Sequence, residues 1–228
     1  FYRDETQGVL LGAYKNFDGE WSYELVDGDR KTDFRTTGDV AFHMKALVDG
    51  NKTYVLYDSV LAINQNRDAT SGEIRLATRT SFDPGAWQYR TLESPTADAT
   101  ILGYDVEIAK TAKGIMASWF SATALSMPDP TLLRTLNLST AAGVVTTSTS
   151  NFGTPNELFS SDSKTLLFNC LGRLCAIDYA KFSKGQSAIA LASSWQSTEP
   201  IASAWIVLNK VRYAVAGING KVVLLKAA

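Results

Sequence analysis

Phe17-Asp18-Gly19-Glu20-Trp21-Ser22-Tyr23-Glu24-Leu25 returns as Phe82-Asp83-Pro84-Gly85-Ala86-Trp87-Gln88-Tyr89-Arg90-Thr91-Leu92, with one residue inserted. Each copy follows a stretch of alternating apolar residues and precedes a polar loop and a further such stretch. Self-similarity at a spacing of tens of residues marks a repeat architecture, and here the repeated unit is built of strands.

Working outward, the apolar period is two almost throughout: Val9, Leu11 and Ala13 alternate with Leu10, Gly12 and Tyr14, and Tyr54–Tyr57, Ile74–Ala77, Ile115–Phe120 and Ala204–Leu208 behave alike. Thr131–Leu138 and Ser187–Ser194 are the stretches nearest to helical, but they are short and lack caps or a 3.6-residue stripe. The chain is therefore expected to be all-β. Hairpins are expected at Phe1–Lys15, Thr53–Thr80, Gly114–Leu138, Thr165–Tyr179 and Val211–Lys226, starting roughly 50 residues apart. Between them fall leaving strands at Trp21–Val26, Trp87–Glu93, Val144–Ser148 and Ile189–Trp195. Entering strands are expected at Val40–Val48, Tyr104–Lys110, Glu157–Ser161 and Ala202–Asn209. Four strands per unit at this spacing predict a β-propeller of about five four-stranded blades in a single domain, residues 1–228. A β-sandwich is the alternative, explaining the alternation but not the recurring unit.

Ser81-Phe82-Asp83-Pro84-Gly85-Ala86-Trp87 resembles the Asp-box of sialidase-type β-propellers, one residue short between Gly and Trp; Asn16–Trp21 is a weaker version. The resemblance is to a degenerate form of that repeat family. It implies a turn between the third and fourth strands of a blade, with Asp satisfying turn amides, Gly taking the strained backbone and Trp21 and Trp87 packing into the core. In that family the box is structural, so the resemblance implies the fold and no catalytic residue. Sialidase activity would also need an arginine triad, and Arg35, Arg67, Arg79 and Arg134 match none of the family's arginine motifs. By this strand phase the chain starts at a second strand and ends after a third. It opens on Phe1 rather than Met, inside an expected strand, as a piece of a longer, processed protein would.

Composition narrows the function. Hydrophobic residues make up 45%, charged residues 20% and net charge is −1; with no basic excess and with lysines and arginines scattered, nucleic acid is not an expected partner. The longest apolar runs fall far short of the roughly 18 residues of a membrane helix, and no direct membrane insertion is expected. The one histidine, His43, lies in the entering strand Val40–Val48 and reads as a satisfied strand residue rather than a catalytic one. One histidine and two cysteines make no standard zinc site, and neither a P-loop nor a dinucleotide fingerprint occurs, so no metal or cofactor is expected. Asn51-Lys52-Thr53 and Asn137-Leu138-Ser139 are glycosylation sequons, meaningful in a eukaryotic secreted protein.

Cys170-Leu171-Gly172-Arg173-Leu174-Cys175 is the sharpest local signal. With Gly172-Arg173 as a two-residue turn, Cys170 would face Cys175 as a non-hydrogen-bonded pair, within disulfide reach. A disulfide implies an extracellular, cell-surface or periplasmic protein; two buried thiols are the alternative. Of the expected second-to-third-strand loops, Asp4–Gly8, Leu171–Leu174 and Ile218–Lys221 are tight, whereas Ser59–Gly72 and Ser121–Pro130 are long. Those two, with the crossing Asp27–Asp39, form one decorated sector, so the candidate ligand-binding residues are Arg35, Asn66, Arg67, Asp68, Met127 and Asp129. Trp119, Trp195 and Trp205 read as core rather than as sugar-stacking platforms. The expected function is a non-catalytic, adhesin- or lectin-like recognition module binding glycan or a protein partner. Alternatives are a structural module of an extracellular assembly, or a glycan hydrolase using carboxylates such as Asp33, Asp68 and Asp129.

Overall fold

In the computed structural model, residues 1–28, 39–81, 85–97, 100–122, 132–140, 145–147, 158–161, 164–170, 173–182, 189–190, 203–218 and 220–226 are described. They form five antiparallel sheets in chain order. The first is β1 (Tyr2–Asp4), β2 (Val9–Lys15) and β3 (Trp21–Asp27). The second is β4 (Asp39–Asp49), β5 (Lys52–Ile63), β6 (Ala69–Arg79) and β7 (Gln88–Glu93). The third is β8 (Ile101–Thr111), β9 (Gly114–Ala122), β10 (Leu132–Asn137) and β11 (Thr146–Thr147). The fourth is β12 (Leu158–Ser161), β13 (Thr165–Cys170), β14 (Arg173–Asp178) and β15 (Ile189–Ala190). The fifth is β16 (Ser203–Leu208), β17 (Val211–Ile218) and β18 (Lys221–Lys226). A single helical turn, α1 (Tyr179–Phe182), follows β14. Every sheet is a meander in sequence order, so the chain is all-β and built from about five blade-type sheets. All five expected hairpins are present, and Thr131–Leu138 supplies strand β10 rather than a helix.

The residues group into two compact units, Phe1–Val106 with Ser121–Ser126 and Glu107–Phe120 with Met127–Ala228. In the first, β5 and β6 carry alternate side chains to opposite faces. Val55, Tyr57 and Ala77 pack with Leu10 and Val26 of the first sheet and with Val40, Ala41 and Trp87. The same face carries buried charge. Arg75 donates to Asp27 Oδ2 at 3.1 Å and to Glu73 Oε1 at 2.6 Å, and the Tyr57 hydroxyl donates to Asp27 Oδ2 at 2.7 Å. Arg79 pairs with Glu24 of β3 and lies over the Trp87 ring, its guanidinium carbon 4.4 Å from the ring centre. In the second unit, Leu167, Leu174 and Ala176 pack against Ala214 and Ala216, with Trp205 and Val223 alongside. Trp119 is fully buried and Phe120 meets Phe168 edge-on at 6.0 Å. Arg212 covers the half-buried Trp205 ring at 3.7 Å; Trp195 lies outside the described residues.

Three sequence expectations need correction. Trp87 is in the core, but Trp21 is 59% exposed. Trp87 and Tyr89 lie against the first sheet, with the Tyr89 hydroxyl donating to Val26 O. Trp21 and Tyr23 occupy the matching face of the first sheet, and both are exposed. In the first turn, moreover, Asn16 rather than Asp18 satisfies the backbone: Glu20 N–H donates to Asn16 Oδ1 at 2.8 Å. The glycine role holds, with Gly19 and Gly85 at φ 85° and 78°; Phe82–Pro84 lie outside the described residues. Second, the β13–β14 register places Cys170 opposite Arg173 and Cys175 opposite Phe168. The pairing is thus shifted from the expected one, and the cysteines are diagonal rather than directly opposed. Third, β5 and β6 run on into the expected Ser59–Gly72 loop, leaving a turn at 64–68 only.

Candidate functional site

That extended hairpin builds one wall of a cleft of about 200 Å³, all of it within the first unit. β5 contributes Asp58, Val60 and Ile63, and β6 contributes Ala69 and Gly72. Asn64 shapes the turn joining them. Its side-chain oxygen accepts from the N–H groups of Asn66 and Asp68, both at 2.9 Å, and its amide donates to Asp68 Oδ2 at 2.9 Å. Arg67 is thereby held in the left-handed region, φ 67°, and lines the cleft.

The opposite wall comes from an irregularity in β4. Val40 pairs with Ser59 and Met44 with Tyr57, so three residues, 41–43, bulge opposite Asp58. Ala41 sits at φ 62°, an unfavourable conformation for a residue with a Cβ. The bulge buries Val40 and Ala41 in succession and presents Phe42 and His43 to the cleft. Arg3 covers Phe42, its guanidinium carbon 3.8 Å from the ring centre.

The start of β8, Ile101–Gly103, closes the floor. It lies against β5 and β6 because two positions have no side chain. Gly72 N–H donates to Thr100 O at 3.0 Å. A Cβ on Gly103, at φ 84°, would stand 2.6 Å from both Asp58 Cβ and Ile74 Cδ1.

Asp58 is the chemical centre. The backbone N–H of His43 donates to its Oδ1 at 2.9 Å, and His43 Nδ1 lies 3.3 Å from its Oδ2. The Asp58 side chain is 7% exposed and that of His43 40%. Burial is the largest influence on the imidazole and lowers its pKa. The hydrogen bond and charge of Asp58, the charge of Asp105 and the Gly103 backbone together outweigh it, leaving His43 above its ordinary value of 6.5. A pKa raised on folding contributes stability that is fully present below 6.5 and is lost as pH rises through the folded-state value. Asp58→Asn is expected to lower the His43 pKa and abolish that pH-dependent step. His43 is the only histidine, so its ring C–H signals in a proton NMR titration report it without assignment. An unchanged midpoint in the variant would contradict the pairing.

Of the expected ligand residues, Arg67 lines this cleft, while Asn66 and Asp68 are engaged in the turn beside it. Arg35, Met127 and Asp129, like Asp33, lie outside the described residues. The sequence reading missed His43 as a cleft residue and Asp58 altogether. The signal was there in Val40-Ala41-Phe42, where three apolar residues in succession break the two-residue period. Among the described residues no cluster of three or more His, Cys, Asp or Glu side chains is placed to hold a metal.

No protein-family profile matches the sequence, and no curated protein matches it. Solved structures do. Trypanosoma rangeli sialidase in complex with sialic acid is similar at a TM-score of 0.47 and 8% identity, over 100% of this chain and 39% of that one. An α-L-arabinofuranosidase from Lactobacillus brevis is similar at 0.47 and 9%, over 88% and 72%. A puromycin-hydrolyzing peptidase of Mycobacterium tuberculosis is similar at 0.44 and 14%, over 94% and 36%. The chain thus spans about two fifths of the sialidase's length. At such low identity no residue of this chain takes its role from these neighbours.

Proposed function

We propose that this chain is a non-catalytic recognition module and that the cleft between Phe42–His43, Arg67 and Ile101–Gly103 receives a glycan or protein ligand. The observation that carries the reading is a concavity lined by Arg67 and Gly103 at left-handed backbone positions, beside a buried Ala41 whose φ of 62° sits in the bulge that brings Phe42 and His43 to it. Strain concentrates where a surface is held in shape for a partner. The cleft's make-up, apolar walls with a few polar groups, is that of a binding pocket.

Against hydrolysis stands the carboxylate count. Glycoside cleavage uses two carboxyl groups flanking the bond, and among the described residues Asp58 is the single carboxylate lining the cleft, already engaged with His43. Screening the chain on glycan and peptide arrays, then repeating with Arg67→Gly, tests the reading. Glycine suits φ 67° at that turn, so the variant removes the guanidinium and keeps the fold. The expected result is binding that weakens about tenfold in the variant, with no turnover of any bound glycan. Release of a hydrolysis product would favour the enzyme reading.

A Cys170–Cys175 bond, and with it an extracellular, surface or periplasmic location, belongs to the same proposal. The diagonal register lengthens the reach but keeps the cysteines on neighbouring strands. Thiol alkylation of the unfolded chain with and without reductant tests it; full alkylation without reductant would remove both claims.

A further inference from the structure

We propose that the cleft's ligand is an acidic peptide segment of a protein partner, which seats one large apolar side chain between Val60, Ile101 and Leu102 and lays a neighbouring carboxylate against Arg67. The inference rests on the reading that this cleft is the binding site, and chooses between its two ligand classes.

Size is the first argument. A cleft of about 200 Å³ compares with the roughly 150 Å³ cavity that takes a benzene ring; it suits one leucine or phenylalanine side chain and is small for an oligosaccharide. The walls are the second. Val60, Ile63, Ala69, Ile101 and Leu102 offer carbon surface, whereas a sugar ring needs hydroxyl partners around its rim. Asp58, the buried polar group here, already holds the His43 backbone and ring. The rim is the third. Phe42 is 49% and Ile63 58% exposed, flanking the opening where the peptide on either side of an anchor would run.

Charge completes the argument. The groups facing His43 are Asp58 from β5 and Asp105 from β8, with Arg67 on the turn across the cleft. Arg3, over Phe42, is 3.9 Å from Asp39. With His43 protonated, its charge and that of Arg67 balance Asp58 and Asp105 among the described groups. Once the imidazole is neutral, Asp58 and Asp105 outweigh Arg67 and repel a carboxylate. A carboxylate is therefore held best below the His43 titration, and its binding must in turn raise the His43 pKa.

The test follows the His43 ring signals of the intact chain during titration with acetyl-Phe-Glu-amide. Comparison probes are acetyl-Phe-Gln-amide, acetyl-Ala-Glu-amide and glucuronate. The expected result is saturable binding of the first, about tenfold tighter than the second or third, weakening as pH rises through the His43 titration. In Arg67→Gly its affinity falls to that of acetyl-Phe-Gln-amide. Should glucuronate shift the ring while acetyl-Phe-Glu-amide does not, the peptide inference fails and the cleft stands as a sugar site. Silence of the ring to all four probes, with acetyl-Phe-Glu-amide binding elsewhere or not at all, overturns both.

Discussion

Arg75→Ala is expected to destabilise the first unit by about 3–5 kcal/mol, lowering the midpoint of urea unfolding by about 1–3 M. Arg75 is 2% exposed and lies between Asp27, also 2%, and Glu73, 4%. Removing the guanidinium leaves two buried carboxylates without their cation; the Tyr57 hydroxyl and the Gly28 N–H still donate to Asp27 but do not neutralise its charge. Uncompensated buried charge, rather than the lost contacts, dominates the cost. Asp27 belongs to β3, whereas Tyr57, Glu73 and Arg75 belong to β5 and β6. The cluster therefore ties the first sheet to the second, and β5 is the strand that delivers Asp58 to the cleft from its opposite face. Adding Asp27→Asn and Glu73→Gln to Arg75→Ala removes the stranded charges and should recover part of the loss. A cost below about 1 kcal/mol for Arg75→Ala alone, the level of an exposed pair, would mean the cluster is not sealed from water.

Gly103→Ala is expected to cost about 2–5 kcal/mol and to disturb the cleft itself. Part is backbone strain at φ 84°, about 1–2 kcal/mol. The remainder is overpacking against Asp58 and Ile74, whose nearest atoms stand 2.6 Å from the new methyl, about 1–3 kcal/mol. Gly50 is the control. It has φ 62° but nothing within 4 Å of a built Cβ, so Gly50→Ala should show the strain alone. Pushing Asp58 away from His43 should also lower the imidazole pKa, since the Asp58 interactions hold it up. Equal stability costs for the two alanines, with an unmoved His43 titration, would contradict the close approach of β8 to Asp58.

The strand plan was readable from sequence because alternation and hairpin spacing are local properties. Trp87 was placed correctly in the core, yet Trp21, in the equivalent turn, is exposed. Their local sequence is alike; what differs is the sheet lying against each face, which no local pattern records. The cysteine register failed for a related reason. Leu171-Gly172 and Gly172-Arg173 are both acceptable two-residue turns, and a shift of one residue re-pairs every position along the hairpin.

The candidate site was legible only at Arg67. Loop length drew attention to Ser59–Gly72, but most of that stretch is strand, and Asn64 turns the remainder into a compact cap. His43 and Asp58 come together because a bulge in β4 sets three residues against one. The sequence marks the bulge by a break in alternation but not the direction in which it aims its side chains. The contribution of Gly103 is a close approach between distant segments and has no signature of its own.

The most direct test of the cleft as the binding site is to titrate the intact chain with its strongest array binder while following the His43 ring signals. The account predicts that both signals move, that they saturate with binding, and that the His43 midpoint shifts. Saturation of the chain with the His43 signals and midpoint unmoved would place recognition elsewhere and contradict it.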